Sequence, residues 1–371
     1  MKDKKVLITG AAGFIGLHLS NRINDLGGVV IGIDNFSEKV HENNLRPRGL
    51  SPEIDLREID VRNFQECLKL FQENDFDYVF HLAAELDMTP NYSTFFATNV
   101  AGTANIYEAI IKSNQTPTFI LASTQFVYGH GIWNDAKSDE SYLITERDYT
   151  YDWDIRKNGI HLEFQKFRES QQTSILNHYA LSKQQQEEIS LHLGKKHNIP
   201  TKICRYSIVH GPYQSLRNTY SGALRTFCFF ARLNAKVPAY EDNQQLRDFT
   251  SINDTVSGTI SVANNGINGE IYNVCGDETI TVEELASKVY SFFDKRLEFS
   301  HEGEFRKGDI RHAISSNEKL KSLGWNPENN WEDSLSAYVD YFNSHITDDL
   351  INRFKETQAL MRDNGQIKRI S

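Results

Sequence analysis

Short apolar runs punctuate the chain from its first residues: KVLITG, VVIGID, EIDLREID, YVFHLAA, TPTFILAS and TKICRYSIV. Each is too short for a helix, and sequence of helical length separates each from the next. That is the pattern of repeated βαβ units feeding a buried parallel sheet. The expected fold class is α/β, with a doubly wound parallel sheet.

Two departures break the rhythm. Between FVYG (126–129) and NHYALSK (177–183) lies a polar stretch, about residues 130–176, rich in Asp, Glu, Gln and Tyr. It is far longer than an ordinary strand-to-helix loop, so a lid or surface insertion is expected. After residue 207 the alternation weakens, and GPYQSLRNTYSGALRTFCFFARL followed by RDFTSIND predicts a smaller lobe laid over the carboxyl edge of the sheet. The boundaries read as 1–206 with 246–274 for the sheet domain and 207–245 with 275–345 for the C-terminal lobe. From Trp331 the sequence is helical and amphipathic (WEDSLSAYVDYF), and 346–371 reads as a helical tail whose charged end frays. No internal repeat is visible.

A chain of 371 residues exceeds one compact core, which agrees with two lobes. Its formal charge of -10 argues against a nucleic-acid partner, because phosphate neutralisation needs clustered Lys and Arg. A small anionic ligand remains compatible through a local basic pocket. Cys67, Cys204, Cys228 and Cys275 lie far apart with no CxxC spacing, so buried free thiols are expected rather than a zinc site or a disulfide framework. The opening MKDKKVLITG runs from charged residues straight into a strand, with no apolar stretch long enough for a signal peptide or membrane span. The expectation is a cytoplasmic protein.

ITGAAGFIG places Gly10, Gly13 and Gly16 directly after the first strand, at the opening of a helix. Glycines there allow a tight turn and close approach to a pyrophosphate, whose charge is favoured by free N–H groups and the positive end of the helix dipole. Alone the pattern is weak. The second strand, however, ends in Asp34 about twenty residues on, where a carboxylate can accept from both adenosine ribose hydroxyls and would repel a 2'-phosphate. This is the Rossmann arrangement, and it favours NAD over NADP. The third strand ends in IDVRN, with Asp60 and Val61 placed to meet adenine, and the fourth runs into HLAAE.

In NHYALSKQQQEE, Tyr179 stands four residues before Lys183, on one face of a predicted helix. A free tyrosine ionises near ~10, so a useful base near ~7 needs about 4 kcal/mol of preference for the phenolate. One cation supplies ~1 to 3 units where water is excluded. A lysine together with a nicotinamide ring could reach that shift; a solvated lysine could not. LASTQFVYG offers hydroxyls at Ser123 and Thr124, and one of them could share a hydrogen bond with a substrate oxygen and the phenol; the alternative for Thr124 is a strand-end cap.

With TGAAGFIG, DNFS, DVRN, HLAAE, NVAGTANIYEA, STQFVYG, YALSK, GPYQS, RDFTSINDTV and RKGDIRHAISSNEKLKSLGW in this order, the sequence resembles the extended short-chain dehydrogenase/reductases that modify nucleotide sugars, over about residues 4–325. The resemblance implies Thr124, Tyr179 and Lys183 as the catalytic residues and Asn99 as a residue near the cofactor. The implied cofactor contacts are Gly10, Gly13, Phe14, Ile15, Gly16, Asp34, Asn35, Asp60, Val61, Leu82, Ala83, Ala84, Asn99, Tyr179, Lys183 and Tyr206. The implied substrate contacts are Thr124, Gln125, Phe126, Ser207, Asn218, Arg247 and Arg306, the two arginines clamping a diphosphate with bidentate geometry. Arg217 and Arg311 are weaker candidates, and for every arginine the alternative is an ion pair.

In the 4,6-dehydratases of that family the motif reads threonine, aspartate, glutamate, because loss of water needs an acid and a base. Here Thr124 is followed by Gln125 and Phe126, which cannot exchange a proton, so redox chemistry without elimination is expected. The insertion, SLRNTYSGALRTF and GDIRHAISS are most similar to the dTDP-L-rhamnose 4-epimerase branch. The expected activity is NAD-dependent inversion at C4 of a dTDP- or UDP-activated sugar, in a homodimer formed through a helix bundle that includes the Tyr179 helix. The alternatives are 2-epimerisation, 4-keto reduction, or a silent dinucleotide-binding sensor. Ile208 stands where the family usually has Asn, and Tyr213 where it often has Arg, which leaves the sugar open. His81 reads as a packed strand-end histidine, His178 as facing away from the tyrosine and His210 as a turn residue; none has metal-ligand spacing, and no metal is expected.

Overall fold

The computed structural model describes residues 1–41, 46–86, 91–138, 140–147, 153–218, 222–306, 308–363 and 365–369. Its centre is a seven-stranded sheet built from β1 (Lys5–Thr9), β2 (Val29–Asp34), β3 (Asp55–Glu58), β4 (Tyr78–His81), β5 (Thr118–Thr124) and the strands Thr201–Tyr206 and Ile271–Val274. Every neighbouring pair is parallel, and the spatial order runs Ile271–Val274, Thr201–Tyr206, β5, β4, β1, β2, β3. The direction of winding reverses between β1 and β4, which opens a crevice at their carboxyl ends.

Side chains alternate across this sheet with the period of two that a strand imposes. Val6, Ile8, Phe80, Ile120 and Ala122 point to one core, and Leu7, Val79, Phe119 and Leu121 to the other. The first face is covered by α1 (Phe14–Asp25) and α7 (Ile252–Asn265), through Leu17, Leu19, Ile23, Val256 and Ile260. The second is covered by α2 (Phe64–Glu73), α4 (Gly102–Lys112) and α5 (His178–His197), through Leu70, Phe71, Ile106, Ile110 and Leu191. Apolar faces on both sides explain why the strands read as continuous hydrophobic runs. Between α3 (Tyr92–Phe96) and α4 the helix widens into a π turn, Ala97–Ala101, which carries Asn99. The short α9 (Glu318–Lys321) adds Leu320 to the first core.

A separate core forms where α6 (Gly222–Arg232), α8 (Val282–Phe292), α10 (Trp331–His345) and α11 (Asp348–Asp363) meet, around Phe227, Phe229, Leu285, Tyr338 and Phe342. The segment read as a helical tail, 346–371, contains α11 and a strand that pack against this lobe. Phe354 of α11 stacks on Phe229 with centroids 4.5 Å apart, and Ile367–Arg369 pairs antiparallel with Phe299–Arg306. Two apolar residues, Leu350 and Phe354, are buried in the lobe and tie down a helix whose composition reads as charged.

The insertion builds its own small sheet, in the order Glu163–Phe164, Ile132–Asn134, Ser141–Leu143, beside the hairpin Arg156–Lys157 with Ile160–His161. Trp133, Ile144, Ile155 and Leu162 form its core. It is seated on the segment before α9: the Phe167 N–H donates to Ile314 O at 2.8 Å, the Ser316 N–H donates to Phe167 O at 2.8 Å, and Trp133 stacks on His312. The four cysteines are free and buried. His210 lies in a short strand, Ile208–His210, rather than in a turn.

Candidate active site

A cleft of about 890 Å3 runs along the carboxyl edge of the sheet and under the C-terminal lobe. At one end is the glycine turn. Gly10 has φ +72°, and a Cβ there would stand 2.9 Å from the Ala83 nitrogen. A Cβ on Gly16 would run into the Gly10 carbonyl oxygen. Gly13 supplies the N-cap of α1 with no side chain closing the helix, so the first amides of α1 face the cleft beside Phe14 and Ile15. Asp34 closes β2 nearby; its Oδ2 accepts from the Ala12 N–H at 3.0 Å and its Oδ1 from the Phe36 N–H at 3.0 Å. These two bonds hold the carboxylate at the cleft wall. A bare helix start, a turn too tight for a side chain and an oriented acid together fit a dinucleotide whose ribose hydroxyls meet Asp34.

Asn35, Val61, Leu82, Ala83, Ala84 and Tyr206 also line this cleft. Two expected cofactor contacts do not. Asp60 is engaged by Arg62, with Oδ1 and Oδ2 both 3.0 Å from Nε, and by the Asn35 Nδ2 at 3.1 Å. Arg62, two residues on in IDVRN, was the available signal. Asn99 is buried in the π turn, where its Oδ1 accepts from the Glu85 N–H at 2.7 Å and its Nδ2 donates to Ser182 Oγ at 2.9 Å. Ser182 donates in turn to Tyr179 O at 2.8 Å, so Asn99 couples the loop after β4 to the start of α5.

Thr124, Tyr179 and Lys183 meet on the wall of this same cleft. Thr124 ends β5, and its Oγ1 accepts from the Phe126 N–H at 3.2 Å, so it caps the following turn while facing the cleft. Tyr179 is the second residue of α5, whose start is fixed by the Asn177 side chain accepting from the Ala180 N–H at 2.9 Å. Lys183 follows one turn later, 3% exposed, with Nζ donating to Ala122 O at 2.9 Å. Burial pushes its amine down to about 7, and the Glu187 carboxylate one turn further along α5 opposes that fall. His81 behind it is buried between Thr9 and Thr103, and burial together with the Lys183 charge pushes it down to about 3. His178 meets the rings of Tyr92 and Phe95.

Gln125 corrects the sequence expectation. It does not line the cleft: its Nε2 donates to Asp248 Oδ1 at 3.1 Å, and its Oε1 accepts from Ser315 Oγ at 2.8 Å. The strand ends at Thr124 and a 3-10 turn, Gln125–Tyr128, begins there; in it Phe126 lines the cleft while Gln125 is turned behind it. Asp248, fully buried, is pushed up to about 7 by that burial.

The lobe supplies the opposite wall, with Ser207, Ile208, Asn218, Arg247 and Arg306. Arg247 is neither a surface ion pair nor a freely reaching clamp. Its guanidinium donates to the carbonyls of Leu246, Arg311 and Ile310 at 2.9, 3.0 and 2.7 Å, and it borders the cleft in that fixed pose. Arg306 lies over the Tyr240 ring at 4.8 Å. The Nε atoms of Arg217 and Arg306, Tyr240 Oη and Gln245 Oε1 are buried on this wall without a partner among the described residues. Buried polar atoms are nearly always satisfied, so such a set suits a polar ligand. Tyr240, Gln245, Tyr341 and His345 line the cleft as well, and no motif marked them. Arg311 is instead held by Glu241 and Asp242. Among the described residues no cluster of His, Cys, Asp or Glu could hold a metal ion, and no helix is long and apolar enough to cross a membrane.

The dTDP-L-rhamnose 4-epimerase of Burkholderia thailandensis is 29% identical over 334 residues, 88% of this chain and 91% of the relative. A UDP-N-acetyl-alpha-D-glucosaminuronate decarboxylase of Bacillus cytotoxicus is 28% identical, over 91% of this chain and 98% of the relative. Among solved structures, UDP-glucuronic acid 4-epimerase from Bacillus cereus, in complex with UDP-glucuronic acid and NAD, superposes with a TM-score of 0.75 at 24% identity, covering 92% of this chain and 100% of that one. UDP-glucose 4-epimerase from Thermotoga maritima superposes with a TM-score of 0.74 at 24% identity, over 92% of this chain and 99% of that one. These likenesses establish a shared fold. Residues 6–275, which contain the glycine turn, Asp34, Thr124 and the Tyr179–Lys183 pair, match the NAD dependent epimerase/dehydratase family, and the chain belongs to that family.

Proposed function

We propose that this NAD-dependent enzyme inverts C4 of a dTDP- or UDP-activated hexose or deoxyhexose. The observation that carries the reading is the company Thr124 keeps. Thr124, Tyr179 and Lys183 share one cleft, whereas Gln125 is turned away behind it and Phe126 is apolar. Neither residue that follows Thr124 offers the acid and base that elimination needs, which favours proton and hydride exchange at a single carbinol carbon.

In this reading Thr124 Oγ1 and the Tyr179 phenol flank the C4 oxygen, and Tyr179 takes its proton as the carbon is oxidised. The Lys183 charge favours the phenolate, and the dry wall around it keeps that effect strong. The glycine turn and Asp34 would hold NAD, whose nicotinamide would supply the hydride acceptor and donor for C4. Tyr179 then gives the proton back to the oxygen, so no atom is gained or lost. Arg306, Tyr240 and Gln245 offer the polar contacts that would hold the nucleotide while the sugar turns. A homodimer through the α5 bundle belongs to the same proposal; Tyr92 and Leu181 lie exposed on α3 and α5.

The test is incubation of the purified, NAD-loaded protein with dTDP-, UDP-, GDP- and CDP-sugars, followed by separation of products and monitoring of the nicotinamide absorbance. The expected result is a 4-epimer with no net absorbance change. Consumption of added NADH would point to net reduction instead, and no altered sugar with NAD still bound would end the reading.

A further inference from the structure

None of the described residues of the 130–176 insertion lines the cleft, so its expected role as a lid has no support in the fold. What the insertion does instead is grip the turn that follows the strand Val237–Tyr240. Arg147 reaches out of it to Glu241, with Nη1 donating to Oε1 at 2.6 Å and Nη2 to Oε2 at 2.7 Å, while Nη2 also donates to Trp153 O at 2.9 Å. The two side chains are 1% and 3% exposed. Glu241 Oε2 also accepts from Arg311 Nη1 at 3.0 Å, and Arg311 is bound by Asp242 at 2.6 and 2.7 Å.

Glu241 is held in the left-handed region, at φ +61°. A residue with a Cβ rarely adopts that conformation unless its surroundings impose it, and such residues gather at functional sites. Here the surroundings are two arginines closing on one carboxylate. The strained turn adjoins Tyr240, which lines the cleft beneath Arg306, and the Glu241 N–H donates to Glu304 O at 2.8 Å. Trp153 of the insertion approaches the Phe305 ring at 6.2 Å, next to Arg306. On the other side, Arg311 passes its position to Arg247 through its backbone carbonyl. The path through Arg147 and Glu241 therefore ends on the lobe wall of the cleft, whereas Phe167 and Glu169 tie the other end of the insertion to the segment before α9 and to Asn273 of the central sheet.

We propose that the insertion is a brace for the nucleotide-sugar half of the cleft, with Arg147 as the positioning residue that holds Glu241 and, through it, Tyr240, Arg306 and Arg247. The inference rests on the nucleotide-sugar reading above. It assigns the insertion to substrate affinity rather than to chemistry or to cofactor binding.

Removing Arg147 alone would leave the buried Glu241 carboxylate with only its Arg311 contact, so the informative variant is Arg147→Met combined with Glu241→Gly, which removes both charges and relieves the left-handed residue. Binding of dTDP and UDP to the NAD-loaded protein is measured by calorimetry, beside NAD affinity, a thermal melt and the separate steady-state constants. The expected result is a Kd for the tighter of dTDP and UDP raised about tenfold to a hundredfold, the scale of a small misplacement of binding groups. KM rises with it, kcat stays within about twofold, and NAD affinity is unchanged. Arg147→Lys keeps the charge without the bidentate geometry and should fall between. Equal nucleotide affinity in the wild type and the double variant overturns the brace. So does a double variant that loses its cooperative melt and NAD together, which would make the contact a general folding element. If the wild type binds neither dTDP nor UDP, the nucleotide-sugar reading fails first and the brace falls with it.

Discussion

Substituting Glu187 by Gln separates two effects that one carboxylate exerts. Glu187 sits on α5 one turn beyond Lys183; its Oε1 accepts from Arg205 Nε at 2.9 Å and from Ser123 Oγ at 2.5 Å, and its Oε2 from Arg205 Nη2 at 2.6 Å. Both side chains of the pair are 4% exposed. Glu187→Gln leaves the Arg205 guanidinium buried over the Tyr128 ring with no counter-charge, a loss of about 3 to 5 kcal/mol. At roughly 1 to 2 °C per kcal/mol for a chain of this length, the melting midpoint should fall by about 5 °C. The second effect is electrostatic. Lys183 is already pushed down to about 7 by burial, and Glu187 is the charge that resists this. The amine is charged below that value and neutral above it. Without Glu187 its pKa falls further, so the pH at which the charged lysine is lost moves to the acid side. His81, buried behind Lys183, stays neutral throughout and does not compensate.

The assay is turnover against pH together with thermal melts, for Glu187→Gln and for Glu187→Met with Arg205→Met. Replacing both members of a buried pair by apolar groups is often neutral, so the double variant should melt near the wild type. Its alkaline limb should nevertheless remain displaced, because Lys183 still lacks its carboxylate. A double variant with wild-type stability and a wild-type limb would refute the electrostatic role. A single variant that melts unchanged would refute the assignment of Arg205 as a desolvated charge.

Three further outcomes are expected. Gly16→Ala forces a Cβ against the Gly10 carbonyl and should cost about 1 to 3 kcal/mol of stability and most NAD binding, read by melting and by nicotinamide fluorescence. Asp34→Ala removes a carboxylate acceptor and should weaken NAD by about 2 kcal/mol while narrowing its preference over NADP, measured by titration with each dinucleotide; an unchanged preference would contradict the placement of the ribose. Tyr179→Phe should keep NAD binding and lower turnover by about 10²- to 10⁴-fold, and unaltered turnover would remove Tyr179 as the proton relay.

Much of this protein is legible along the chain because its signals are local. Six of the seven sheet strands are legible as short runs; in the central ones both faces of the sheet are covered and nearly every position is buried, while β3 at the edge has no buried position. The glycine turn and Asp34 are readable for a similar reason: each is set by the backbone path at one strand end. Asp60 and Gln125 show where locality fails. Their neighbours in sequence face the cleft, but a partner two residues away in one case, and Asp248 and Ser315 in the other, turn these side chains elsewhere.

By itself, then, the sequence determined the sheet, the glycine turn and the acid that closes its second strand, because periodicity and glycine conformation act over a few residues, and its resemblance to a known family singled out Thr124, Tyr179 and Lys183. Only the tertiary structure decided how the lobe closes the cleft. Tyr240, Gln245, Tyr341 and His345 reach it from helices and turns whose positions depend on a second core, and the insertion meets that wall through Arg147 and Glu241, 94 residues apart in sequence and bonded only once the chain has folded.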